Sequence, residues 1–183
     1  RIPAFTDNFT DLRLSRHTQL ALEREFKYNC PTRMQATVLP KLRCTRGQDA
    51  IVRGRTGTGK TLCYAIEMIE HIVERESESN LPPGVRGMVV APSRELAVQI
   101  ADEIERLLSV GRKETHPLVA LVGGQNRKQD CLMMRRKRPS IIVGTPGRLV
   151  DHFEQTFLFH QLFENLEVLV LDEVDQLLSD VQF

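Results

Sequence analysis

The stretch Gly54-Arg55-Thr56-Gly57-Thr58-Gly59-Lys60-Thr61 limits what this chain can fold into more than any other. It fits the spacing G-x-x-x-x-G-K-[ST], which cradles a polyphosphate when it lies between a strand and a helix. Glycines allow the tight turn because they lack Cβ and tolerate positive φ. The backbone N–H groups of Arg55, Thr56, Gly57, Thr58 and Gly59 then point inward as an anion nest. Lys60 would neutralise the outer phosphates. Thr61 would offer its hydroxyl to Mg²⁺, an ion that keeps several waters and takes few protein ligands. The following helix adds the positive end of its dipole. The flanks agree: Ala50-Ile51-Val52 reads as a buried strand, and Leu62, Ala65, Ile66, Ile69, Ile72 and Val73 follow at helical spacing.

The rest of the chain alternates in the same way. Phe9 to Phe26 reads as a lead-in segment and a helix with Ser15 as its N-cap. Pro31 breaks it, and Thr32 can cap a second helix running to about Leu42. Glu74 to Gly87 is a polar connection. Met88 to Ala91, Leu118 to Val122, Ile141 to Val143 and Val168 to Leu171 are further short apolar runs. Helical spacing follows the first of them, in Leu96, Ile100, Ile104, Leu107 and Leu108. Gln125 to Arg138 is a basic helix, and Leu149, Val150 and Phe153 begin another. Continuous rather than alternating runs suit strands buried on both faces of a parallel sheet. The fold class expected is therefore α/β, a mostly parallel central sheet with helices on both faces. In such sheets ligands bind at the carboxyl ends of the strands. Every informative motif here ends an apolar run.

With 183 residues, one domain is expected. Residues 1–48 form its lead-in helices and residues 49–183 its phosphate-binding part. The net charge is only +1, so no global basic field points to nucleic acid. The four cysteines are scattered without a C-x-x-C pair, which argues against a zinc site or a disulfide framework and for an intracellular setting. Nucleus, nucleolus, cytoplasm and mitochondrion stay open. No apolar run approaches membrane-spanning length, so no membrane partner is expected. The chain begins at Arg1 rather than Met, which suggests a piece of a longer protein.

Two further constellations carry chemistry. Tyr28 and Gln35 flank the Pro31 break; an aromatic face and a primary amide held together can read adenine by stacking and by bonds to N7 and N6. A core tyrosine beside a surface glutamine is the plainer reading of that spacing taken alone. Asp172 ends the last apolar run and can hold Mg²⁺, and Glu173 can orient and deprotonate an attacking water. Carboxylates at an acidic helix start are the alternative.

Together these stretches resemble the first RecA-like domain of the DEAD-box ATP-dependent RNA helicases, over nearly the whole chain. Tyr28-x-x-Pro31-Thr32-x-x-Gln35 resembles the adenine-reading Q motif, and Gly54 to Thr61 motif I. Pro92-Ser93-Arg94-Glu95-Leu96-Ala97 resembles motif Ia, Gly123-Gly124 the GG motif, Thr145-Pro146-Gly147-Arg148 motif Ib and Asp172-Glu173-Val174-Asp175 motif II. The resemblance implies a RecA-like P-loop domain that binds ATP with Mg²⁺. It also implies an RNA strand held through its backbone by Pro92, Ser93, Arg94, Gly123, Gly124, Thr145, Pro146, Gly147 and Arg148. Lys60, Asp172 and Glu173 would act in hydrolysis. A second RecA-like domain of the same protein would supply an arginine finger, and the protein would work as a monomer. An ATP-gated RNA clamp without unwinding is the alternative. The chain departs from the family pattern at Lys27 and Gly54, where Gly and Ala are usual, and at Arg55, where Gln is usual. Val174 replaces the family's Ala, placing two extra methyls on the phosphate-loop side of the sheet.

Overall fold

The computed structural model describes residues 8–44, 47–76, 83–110 and 116–179. Four short strands form one parallel sheet: β1 (Gly87–Val90), β2 (Leu118–Leu121), β3 (Ile141–Gly144) and β4 (Val168–Leu171), in the order β2-β3-β1-β4. The helices are α1 (Arg16–Ala21), α2 (Arg33–Cys44), α3 (Lys60–Glu76), α4 (Arg94–Leu108), α5 (Arg127–Lys137), α6 (Pro146–Gln155) and α7 (Val174–Ser179). A π-helical turn, Leu22–Phe26, extends α1. This is the α/β architecture expected.

Side chains alternate across the pleat, and the two faces find different partners. Val89, Ile141 and Val143 enter a large core with Leu62, Ile66 and Ile69 of α3 and Ile100 and Ile104 of α4. Met88, Val119, Leu121 and Ile142 enter a smaller one with Met134 of α5, Leu149 of α6 and Phe159. Helices thus cover both faces. The lead-in segment belongs to the larger core, through Phe9, Leu12, Leu22, Phe26 and Leu39. Ser15 caps α1, and its N–H and hydroxyl both bond the buried Glu70 carboxylate on α3, at 2.8 and 2.6 Å. That carboxylate also takes Arg43 of α2 at 3.3 Å, so one charge ties three helices together.

Two expectations fail at one place. Ala50-Ile51-Val52 is not a strand, and Ile51 is 98 % exposed. An apolar run becomes a strand only with a neighbour to complete its ladder, and the sheet of described residues ends at β4. Nor is β4 buried on both faces. Val168 and Val170 pack on the larger core, whereas Leu169 and Leu171 are 55 % and 51 % exposed.

Candidate functional site

Parallel strands place all their carboxyl ends on one edge, and the turns leaving them converge. A cleft of about 730 Å³ at that edge is lined by Pro92, Ser93 and Arg94 after β1, Gly123 after β2, and Thr145, Pro146, Gly147 and Arg148 after β3. Ser93 caps α4, its hydroxyl accepting from the Leu96 N–H at 3.1 Å. Pro146 opens α6, where its missing N–H costs nothing. Gly124 has φ +89°, and a β-carbon there would lie 2.9 Å from Nη1 of Arg94. The exposed Arg94 guanidinium rests against the Gly123-Gly124 backbone, in the space that β-carbons there would take. Asp151, Gln176 and Leu177 also line the cleft. Their separation in sequence from the glycine and proline turns hid the last two.

Arg148 is held by several partners. Its Nε and Nη2 reach Oδ2 of Asp130 at 2.8 and 2.7 Å, Nη1 reaches Asp151 at 3.0 Å, and Nη2 also bonds the Gln125 carbonyl at 2.9 Å. Asp130 is fully buried, and the same oxygen meets Nε2 of buried His152 at 3.1 Å. Two carboxylates neutralise the guanidinium and turn it inward. Arg148 therefore braces the Thr145–Gly147 turn from within while lining the cleft. Nothing in local sequence links Asp130 or His152 to this turn.

The phosphate loop is braced from α2. Thr32 and Gln35 form a reciprocal capping box: the Gln35 N–H bonds Thr32 Oγ1 at 3.2 Å, and the Thr32 N–H bonds Gln35 Oε1 at 2.9 Å. The Thr32 hydroxyl also donates to the Thr58 carbonyl at 3.0 Å, and Gln35 Nε2 points to the Gly59 carbonyl at 3.5 Å. Gln35 is 2 % exposed, while Tyr28 is half-exposed against Phe26, ring centroids 5.7 Å apart. The plainer sequence reading, a core tyrosine and a surface glutamine, is inverted. Gly59 has φ +85°, and a β-carbon there would meet Gln35 Nε2 at 2.5 Å. Its conformation favours glycine, and a β-carbon there would require the Gln35 amide to move. A β-carbon at Gly54 would lie 2.3 Å from the Met34 methyl, so Met34 fills the space an alanine would use. The Thr58 hydroxyl donates to the Arg55 carbonyl at 2.8 Å and lies 3.0 Å from the Met34 sulfur. Lys60 folds into the loop, donating to the carbonyls of Gly54 and Arg55 at 2.7 and 3.1 Å.

Asp172 and Glu173 follow β4. Asp172 is largely buried, and its Oδ1 accepts the Glu173 N–H at 2.9 Å. Its Oδ2 accepts the Tyr64 hydroxyl at 2.8 Å. Tyr64 stands one turn beyond Thr61 on α3. Burial first, and the Asp172 carboxylate second, raise the phenol far above its ordinary pKa, so it remains a donor. On α4, Glu103 is raised chiefly by burial; Arg106 opposes the shift and Asp172 adds to it. Glu173 has φ +47°, a left-handed conformation that disfavours a side chain. Val174 is 42 % exposed, so its side chain is partly solvated at the sheet edge.

A carboxylate and a hydroxyl are hard oxygen donors of the kind Mg²⁺ prefers. Among the described residues there is no group of three or more His, Cys, Asp or Glu side chains arranged to hold a metal. Thr61 and Asp172 thus fit an ion that draws its other ligands from water and phosphate. Among the described residues, no helix is long and apolar enough to cross a membrane.

The DEAD/DEAH box helicase family model matches residues 32–183. A Vanderwaltozyma polyspora protein named ATP-dependent RNA helicase DBP7 is 33 % identical over 97 % of this chain, which spans 24 % of that relative. A human protein named ATP-dependent DNA helicase DDX31 is 37 % identical over 93 % of the chain, which spans 19 % of it. The solved structure of the DEAD-box helicase Mss116 bound to ssRNA and UDP-BeF superposes with a TM-score of 0.83 at 30 % identity, covering 96 % of this chain and 34 % of that one. The chain thus spans about a quarter of the length of the curated relatives it matches. By sequence and by fold, it belongs to the DEAD/DEAH box helicase family as a RecA-like domain.

Proposed function

We propose that this domain is the ATP-binding half of an ATP-dependent RNA helicase, coupling ATP hydrolysis to duplex unwinding or remodelling of RNA–protein complexes. The observation that carries this reading is convergence on one sheet edge. Asp172 and Glu173 follow β4, and the turns after β1, β2 and β3 line a single cleft.

In this reading the loop from Arg55 to Gly59 wraps the phosphates, and Lys60 leaves the Gly54 and Arg55 carbonyls to meet them. Gln35 and Tyr28 select adenine, Gln35 by turning its amide from Gly59 to the base. Thr61 and Asp172 would hold Mg²⁺, which stabilises charge on the transferred phosphoryl group when bound. Glu173 orients the attacking water and takes its proton. The free N–H groups at Ser93, Gly124 and Gly147, with Thr145 and the Arg94 cation, hold an RNA backbone without reading bases. Arg148 shapes that surface from beneath. A second RecA-like domain of the full-length protein would close over both ligands.

Glu173→Gln in the full-length protein should abolish RNA-stimulated hydrolysis and spare ATP binding. Turnover by that variant would sink the assignment. The same assay run with single-stranded DNA separates RNA from the substrate named for the human relative. An ATP-gated clamp that never unwinds is the second reading, motivated by Val174. A strand-displacement assay beside the ATPase assay decides between them.

A further inference from the structure

We propose that Tyr64 is a positioning residue for Asp172, holding this carboxylate in the orientation from which it meets Mg²⁺ and so coupling the metal to nucleotide binding. The inference rests on the function proposed above.

The argument begins with where Asp172 stands. It follows an edge strand, so among the described residues β4 has a ladder partner on one side only. A carboxylate at such a strand end has a freely turning χ2 unless something fixes it. Two donors do so from opposite elements. The Glu173 N–H takes Oδ1 at 2.9 Å, and the Tyr64 hydroxyl takes Oδ2 at 2.8 Å. The first donor belongs to the chain that the carboxylate itself terminates. The second crosses from α3, 108 residues away in sequence. Residues 61 and 64 lie three apart on α3, hence on the same face. One phenol thereby ties Asp172 to the helix face that carries Thr61, the other side chain that would share the ion. Tyr64 otherwise packs as part of the core, which phenylalanine would do equally well. Only the hydroxyl is the positioning device.

The test is binding without turnover. A fluorescent non-hydrolysable ATP analogue is titrated into the full-length protein in EDTA and across a Mg²⁺ series. Tyr64→Phe removes one oxygen and keeps the ring. The expected result is an apparent Mg²⁺ affinity lower by about 10- to 100-fold, the range seen when outer-shell partners of metal ligands are removed. Affinity for the analogue in EDTA should stay within about twofold, which also shows that the variant is folded. In an Asp172→Asn background the same substitution should add nothing further. Equal Mg²⁺ coupling in wild type and Tyr64→Phe overturns the inference, as does a full-sized effect of Tyr64→Phe in the Asp172→Asn background. Failure of wild type to bind the analogue with or without Mg²⁺ would instead overturn the proposed function.

Discussion

Asp130 is the buried charge whose removal should be felt most. Asp130→Ala deletes a carboxylate whose Oδ2 receives Arg148 Nε at 2.8 Å, Arg148 Nη2 at 2.7 Å and His152 Nε2 at 3.1 Å. Two charge-assisted bonds at roughly 1.5–3 kcal/mol each give about 3–6 kcal/mol. Removing one partner of a buried ion pair typically costs about 3–5 kcal/mol, and the two routes agree. The loss is not total, because Arg148 keeps Asp151 and the Gln125 carbonyl. Asp151 is itself shared with Arg127 at 2.9 Å and cannot fully replace Asp130. Against a usual total of about 5–15 kcal/mol, this is a large fraction. Urea unfolding followed by circular dichroism measures it as a fall in midpoint at constant m. At about 2–4 °C per kcal/mol for chains of this size, the melting temperature should fall by roughly 6–20 °C. Adding Arg148→Ala should cost much less than it does alone, because the orphaned guanidinium leaves with it. A loss under about 1 kcal/mol for Asp130→Ala, or strict additivity of the two changes, would refute the network account.

Other outcomes follow from single positions. Lys27 ends the π-helical turn at φ +56°, where the family has glycine; Lys27→Gly should stabilise by about 1 kcal/mol, read as a higher melting temperature. Burial pushes the Cys63 thiol up to about 12, which suppresses its thiolate at pH 8, whereas Cys30 and Cys44 are exposed. Ellman's reagent should therefore modify Cys30 and Cys44 quickly and Cys63 only after unfolding. Gly124→Ala forces a β-carbon into φ +89° and against Arg94, so RNA affinity should drop with a stability loss of about 1–2 kcal/mol. Unchanged RNA binding in that variant would remove Arg94 and the glycine pair from the interface.

Much of this was legible in the residues because the signals are local. Leu62 to Ile72 announces α3 by spacing, and four apolar runs announce β1 to β4. The Ser15 and Ser93 caps lie where their chemistry predicts. What escaped depends on pairing over distance. Ala50-Ile51-Val52 carries the same apolar signal as β3, yet a strand is a property of two segments. Arg148 has the look of a phosphate-seeking cation; only folding brings Asp130 beneath it. Tyr64 gave no local signal, since its hydroxyl finds Asp172 across the domain. Gln35 was placed at the right helix start, but Thr32 could be seen as a cap without showing that the glutamine returns the bond.

The contact between Met34 and Gly54 bears on how this sequence can change. The Met34 side chain occupies the room beside Gly54 that a β-carbon would need, and its sulfur lies 3.0 Å from the Thr58 hydroxyl. The two positions therefore constrain each other's substitutions. Alanine at Gly54 requires the flexible end of Met34 to swing into another rotamer. Shortening Met34 first leaves room that the alanine can then fill. The two orders end at the same sequence, but only in the second does the β-carbon enter without displacing a neighbour.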